Sequence, residues 1–298
     1  MSRVVFSGIT WLIAALPPWL GYAIADLATG LHWLAFPGRR HAALANLAVI
    51  LPRSSRRERS RMARRMMRSY NRMLYEFFRL PHLSREELLA AVEVVGKEHI
   101  DRGAARGRGL IMVSTHIGNW ELAAVMVAQW GYALHAVAGV QLSRWLSGAV
   151  RDTKTEMSIT TIAPEDGFRK ILRALEHNDP VALVVDGNLY THGHTVEWFG
   201  RDTSFPAGPG ALAQRTGALV IPGYCERVAP GRFRIVIEPP IDPAAFATTA
   251  ELHQAIAAAA ERQIRAHLDQ WCIFRPLWST PAAHTAAAPA AEGRRADA

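Results

Sequence analysis

The opening residues are apolar almost without a break. Residues 4–25 carry no charge, and Asp26 is the only ionised side chain between Arg3 and Arg39. That length is enough for a membrane-spanning helix, but Pro17-Pro18 in its middle would kink or break one. Trp11, Trp19, Tyr22 and Trp33, scattered through it, suit the headgroup level of a bilayer. The pattern predicts an N-terminal membrane anchor over 1–38, either a kinked span or two helices dipping into one leaflet. An ordinary apolar core helix is the alternative. No Ala-x-Ala-like site followed by a polar start marks a signal peptide.

From 53 to 79 the period becomes helical. Arg57, Arg61, Arg64, Arg65, Arg68 and Arg72 fall on one side of a helical wheel, and Met62, Met66, Tyr70, Met73 and Phe77 on another. Such a basic amphipathic helix suits anionic lipid headgroups. The plainer reading is a surface helix with its methionine face on the core. Pro81 ends it, and Ser84 followed by Glu86 and Glu87 opens the next.

Beyond this point short apolar runs alternate with helical ones. Strands are predicted near 92–95, 109–114, 134–140, 159–163, 181–186, 219–224 and 233–238, and helices over 119–130, 142–151, 165–177 and 250–270. The alternation predicts an α/β fold, a mixed and mainly parallel central sheet flanked by helices, in a domain over 39–280. From Pro281 the Ala-, Pro- and charge-rich sequence predicts a disordered tail over 281–298.

Charge and cysteines narrow the setting. A net charge of +8 and a pI near 10.1 call for an anionic partner, nucleic acid or an anionic membrane surface. No nucleic-acid module, zinc ligands or base-stacking motif accompanies the arginines, so the membrane is the expected surface. Cys225 and Cys272 make no disulfide framework and fit a reducing compartment.

The candidate chemistry lies where the apolar run 109–114 gives way to helix formers. A strand feeding a helix there leaves His116, Ile117 and Gly118 in the connecting turn, at a strand's carboxyl end, where α/β folds carry their sites. With His116 in the turn and Glu121 in the first helical turn, the carboxylate can reach back to the imidazole, fix its tautomer and raise its basicity. Capping of the turn by His116, with Glu121 solvating the helix, is the bland alternative. Gly118 would admit substrate close to the backbone, and the helix N-terminus offers amides to an anion. His192 and His194 form a His-x-His pair, but zinc needs three or four ligands and none other lies near in sequence. No metal or cofactor is expected.

His116, Gly118, Asn119, Trp120 and Glu121 together resemble the His-x-Gly-Asn-Trp-Glu form of the His-x4-acid motif in the lipid A biosynthesis late acyltransferases, a branch of the lysophospholipid acyltransferase superfamily. The mycobacterial phosphatidylinositol mannoside acyltransferases fall in the same group. The resemblance covers roughly 39–278, including a Gly-x-Glu-His element at Gly96 to His99, a Pro-Ala-Gly-Pro loop at Pro206 to Pro209 and a closing segment around Trp271 and Trp278. It matches Arg151 to an arginine ending a helix and Asp186 to an acid after a strand; an ion pair between these two is the structural alternative. It implies substrate binding by Gly118, Asn119, Trp120, Arg151 and Asp186, with Glu197 a second carboxylate to meet His116.

The resemblance further implies an O-acyltransferase at the cell inner membrane, its catalytic domain on the cytoplasmic face. His116 as base, held by Glu121, would move a fatty acyl chain from acyl carrier protein or coenzyme A thioester to a hydroxyl of a membrane glycolipid, lipid A precursor-like or phosphatidylinositol mannoside-like. Lysophospholipid acyl transfer, thioester hydrolysis and non-enzymatic membrane binding are the competing readings. No Gly-x-Ser-x-Gly elbow surrounds Ser114, which argues against a serine hydrolase.

Overall fold

A computed structural model describes residues 3–137, 151, 154–163, 167–186 and 193–278. The expected helix over 142–150, together with Tyr190, His192 and the tail over 281–298, lies outside them.

The order of elements places the sheet behind a helical N-terminal layer. Helices α1 (Arg3–Ala15), α2 (Pro18–Ala35), α3 (Pro37–Ile50), α4 (Arg56–Arg79) and α5 (Arg85–Ala91) precede strand β1 (Val92–Val95). Then come α6 (Lys97–Ala104), β2 (Leu110–Gly118), α7 (Trp120–Gln129), β3 (His135–Val137), β4 (Thr160–Ile162), α8 (Gly167–Glu176) and β5 (Pro180–Val184). A hairpin of β6 (Gly193–Trp198) and β7 (Arg201–Pro206), in a stretch for which the sequence pattern predicts no element, leads to α9 (Gly208–Thr216). The strands β8 (Leu219–Ala229) and β9 (Arg232–Ile237) and helix α10 (Thr249–Ala266) follow.

Among the described residues seven strands form one sheet in the order β1-β9-β8-β2-β5-β3-β4. Every pairing in it is parallel except the β8–β9 hairpin, so the sheet is mixed and mainly parallel as the alternation predicts. β2 lies in the centre with both faces covered, which is why its apolar run is continuous and not alternating. Ile111, Val113 and Ile117 pack on one face with Leu252, Ile256 and Ile264 of α10. Leu110 and Met112 pack on the other with Leu122, Val125 and Met126 of α7.

The N-terminal prolines break the first apolar stretch into α1 and α2, and among the described residues no helix is long and apolar enough to cross a membrane. α2 instead lies along α4 and joins it through polar side chains. Tyr22 donates from its hydroxyl to Glu76 (2.8 Å), Arg72 donates twice to Asp26 (both 2.7 Å), and Asn71 donates to Thr29 (3.0 Å). The boundary expected at 38 therefore crosses a packed interface. Ser55 opens α4 with a capping box closed by Glu58, and Ser84 with Glu87 repeats the device for α5, each worth about 1 kcal/mol.

Candidate active site

The site begins with an irregularity in β2. Its register with β8 holds from Leu110↔Leu219 to Ser114↔Gly223, then shifts before Gly118↔Cys225. His116 therefore sits within the strand's last stretch, and the turn expected to hold it shrinks to Asn119, the N-cap of α7. Gly118 has φ +57°, and a Cβ there would stand 2.1 Å from the carbonyl oxygen of Cys225. Its lack of a side chain serves the crossing of its own backbone with β8, and not the approach of a substrate that the sequence suggests. Asn119 is fully buried; its Oδ1 accepts from Leu122 N (2.9 Å) and its N donates to Cys225 O (3.0 Å). It builds the turn and presents nothing to a ligand, which corrects its expected role.

The imidazole meets a different carboxylate from the one its spacing points to. His116 Nδ1 lies 2.7 Å from Asp186 Oδ1, and its backbone N donates to Oδ2 at 2.7 Å. The Trp271 indole also donates to Oδ2 (2.8 Å), and Cys272 N donates to the His116 carbonyl (2.8 Å). Because β5 runs parallel beside β2, the acid just beyond its end arrives next to the histidine. A carboxylate only accepts, so Nδ1 carries the hydrogen and Nε2 is the basic nitrogen. Complete burial works against the charge on Asp186. The adjoining His116 ring, its hydrogen bonds and the indole outweigh this and hold the carboxyl below the usual range.

Glu121 points elsewhere. In the first turn of α7, its carboxylate lies 2.9 Å from Lys154 Nζ and accepts from the Trp120 indole at 3.2 Å. Lys154 and Glu121 are both largely buried and both line the cavity that His116 faces. The Trp120 ring meets the imidazole edge-on, with centroids 4.8 Å apart and planes at 77°. The structure thus brings His116, Trp120 and Glu121 together but assigns the orienting carboxylate to Asp186. Arg151 is exposed and off the cavity, and Asp186 is the partner of His116, not of Arg151. Glu197 is exposed on β6, its backbone N bonded to Gln254, and does not reach the site.

Sequence reasoning misses Lys154, which no motif marks, and the indole of Trp271, which the resemblance places as a cover for the core. The cavity has a volume of about 560 Å³. Met112, Ala124, Val127, Leu134, Ala136 and Ala182 give it an apolar wall, within the roughly 300–1,000 Å³ common for ligand sites. Neither cysteine offers a thiolate: burial pushes Cys272 up to about 12 and Cys225 further. Ser114 Oγ donates to the neighbouring Thr115 carbonyl (3.3 Å). Among the described residues no group of three or more His, Cys, Asp or Glu could hold a metal.

The arginine side of α4 divides in two. Arg57, Arg61, Arg64, Arg65 and Arg68 are exposed, with Arg64 stacked over the Trp33 ring at 4.8 Å. Arg72 is half-buried against Asp26 and belongs to the α2–α4 contact, not to the outward face. On the opposite side Met66, Met67 and Met73 are buried, the plainer expectation for that face. Beside the arginines, α2 exposes Trp19, Leu27, Leu31 and Leu34.

Three comparisons with known proteins extend this picture. A family model described as bacterial lipid A biosynthesis acyltransferase matches residues 3–280, including the N-terminal helices that lie outside the sequence resemblance. A phosphatidylinositol mannoside acyltransferase of Mycobacterium tuberculosis is 27% identical over 290 residues, 93% of this chain and 90% of that protein. Its counterpart from Mycolicibacterium smegmatis is 26% identical over 271 residues, 90% and 88%. Among solved structures, the 1-acyl-sn-glycerophosphate acyltransferase PlsC from Thermotoga maritima matches with a TM-score of 0.41 and 15% identity, covering 86% of this chain and 100% of that one.

Proposed function

The chain belongs to the bacterial lipid A biosynthesis acyltransferase family and is an acyltransferase; on that premise we propose that it moves a fatty acyl chain from a thioester, of acyl carrier protein or coenzyme A, to a hydroxyl of a membrane glycolipid. The observation that carries the mechanism is the Asp186–His116 pair, facing a largely apolar cavity. Asp186 holds the Nδ1 hydrogen and leaves Nε2 free to take the proton of the acceptor hydroxyl. The freed oxygen attacks the thioester carbonyl to give a tetrahedral intermediate. Its collapse forms the ester, breaks the carbon–sulfur bond and returns the proton from Nε2 to the leaving thiolate.

The developing oxyanion needs donors. Lys154, which lines the cavity beside Trp120 and Glu121, supplies one from its ammonium, and the N-terminus of α7 offers further amides. The apolar wall accommodates the acyl chain. Names of the mycobacterial relatives support a mannosylated phosphoinositide-like acceptor. The exposed apolar face of α2 and the arginines of α4 support work at the cytoplasmic face of the inner membrane, with the helices lying in one leaflet's interface.

With no ionised cysteine, transfer proceeds through a ternary complex. Initial rates varying both substrates should give intersecting lines, and His116→Ala should lower turnover by about 10²–10⁴-fold. Asp186→Asn should cost more than Glu121→Gln; the opposite order would return the orienting role to Glu121. Parallel lines with an acyl adduct on Ser114 or Cys225 would overturn the mechanism.

A further inference from the structure

A buried carboxylate lies behind the catalytic turn, and the reaction above does not use it. Glu76 sits on the apolar side of α4 between Met73 and Phe77 and is only 6% exposed. It accepts from Tyr22 of α2 (2.8 Å), from Asn119 Nδ2 (3.1 Å), and from Arg227 of β8 through Nη2 (2.7 Å) and Nε. Apolar side chains of the same volume would fill this space without desolvating an ion pair, so stability alone is a weak reason for its presence.

Two of these contacts, through Asn119 and through Arg227, each lead to one half of the His116–Asp186 pair. Asn119 must turn Oδ1 toward Leu122 N to cap α7, which leaves its Nδ2 in need of an acceptor, and Glu76 is that acceptor. The amide is thereby fixed against a flip, and with it the backbone that follows His116. On the other side Arg227 N donates to Gln270 Oε1 (2.8 Å), and Gln270 Nε2 donates back to Arg227 O (3.1 Å). Gln270 precedes Trp271, whose indole holds Asp186. We propose that Glu76 is a positioning residue for acyl transfer, holding the start of α7 through Asn119 and the Trp271 segment through Arg227. The inference rests on His116 acting as the base. Tyr22, itself accepting from Gly231 N (2.7 Å), makes α2 part of the same support.

The test compares variants by turnover per folded molecule, with the folded fraction read from far-UV circular dichroism. Glu76→Gln sets amide hydrogens against one of its donors and should lower kcat by about 10²-fold with KM for the thioester within about twofold, the scale of a small misplacement. Asn119→Ser keeps a cap for α7 but cannot reach Glu76, and should lose as much. The double variant should lose no more than the worse single one, since both break one connection. Should Glu76→Gln fail to fold, Tyr22→Phe leaves the Arg227 pair intact and should still lower kcat several-fold at unchanged KM. Unchanged kcat per folded molecule in Asn119→Ser and Tyr22→Phe, or multiplying losses in the double variant, would overturn the proposal. Absence of acyl transfer by the unaltered protein in the same assay would instead count against the proposed function.

Discussion

Helices α2 and α10 have 18 residues each and are built the opposite way round. α10 buries Leu252, Ile256, Ala260 and Ile264 and turns Glu251, Arg262 and Arg265 to water, the usual arrangement. α2 turns Tyr22, Thr29 and His32 inward, where each has a hydrogen-bond partner. It leaves Trp19 72% exposed, Leu27 79%, Leu31 69% and Leu34 73%. Water gives no return for the second pattern; the membrane surface proposed above would, with the α4 arginines rimming it in positive charge. The contrast teaches that α2 is fastened to the protein by directional polar bonds so that its apolar side stays available.

The largest effect should come from the ordinary helix. Leu252→Ala removes a fully buried side chain from α10 and should cost about 2–5 kcal/mol in a urea titration, whereas Leu31→Ala in α2 should stay within about 0.5 kcal/mol. A comparable cost at both sites would erase the distinction.

Lipid binding should reverse the ranking. Leu27→Ser with Leu31→Ser should weaken partition into anionic vesicles by about tenfold or more per residue, since each loses on the order of 1.5 kcal/mol of apolar burial. Arg262→Ser on α10 should leave partition unchanged. Equal losses from both helices would show that α2 holds no special face toward the membrane.

The smallest effect concerns how firmly α2 is fastened. Burial lowers the pKa of His32, Arg39 beside it acts the same way, and the Asn71 hydrogen bond opposes them. The unfolded or undocked state therefore binds the proton more tightly. The contribution of His32 is complete above about pH 6.5 and is lost as pH falls below that value toward the depressed folded pKa. Thermal melts from pH 8 to pH 5 should show a modest decline that His32→Gln flattens. A decline of the same size in that variant would assign the effect to other groups.

Much of the sheet is legible in the sequence because its cause is local. Runs such as 109–114 and 219–224 are short, apolar and bounded by turn residues, and they form β2 and β8. The His-x4-Glu motif likewise locates His116. The carboxylate that holds the ring is not legible, since the parallel pairing of β2 with β5, and not any spacing, brings Asp186 beside it. Glu121 is near in sequence yet turned toward Lys154, because α7 starts at Trp120 and places its second residue on the cavity side. Glu76 does leave a signal: an acid on the apolar stripe of α4, where a charge is out of place unless it is paired.

The segment Gln270–Cys272 gives the site a consequence in time. The indole that fixes Asp186 and the amide that holds the His116 carbonyl both belong to residues far down the chain from His116. A ribosome delivers His116, its strand and its helix well before Trp271 leaves the exit tunnel. Closing so long a loop is also a late event in folding, since distant contacts repay their entropy only once the intervening structure has formed. A growing chain therefore carries His116 before the residues that hold its carbonyl and Asp186. In the proposed reaction the imidazole is aimed only once Trp271 and Cys272 have docked on Asp186 and the His116 carbonyl.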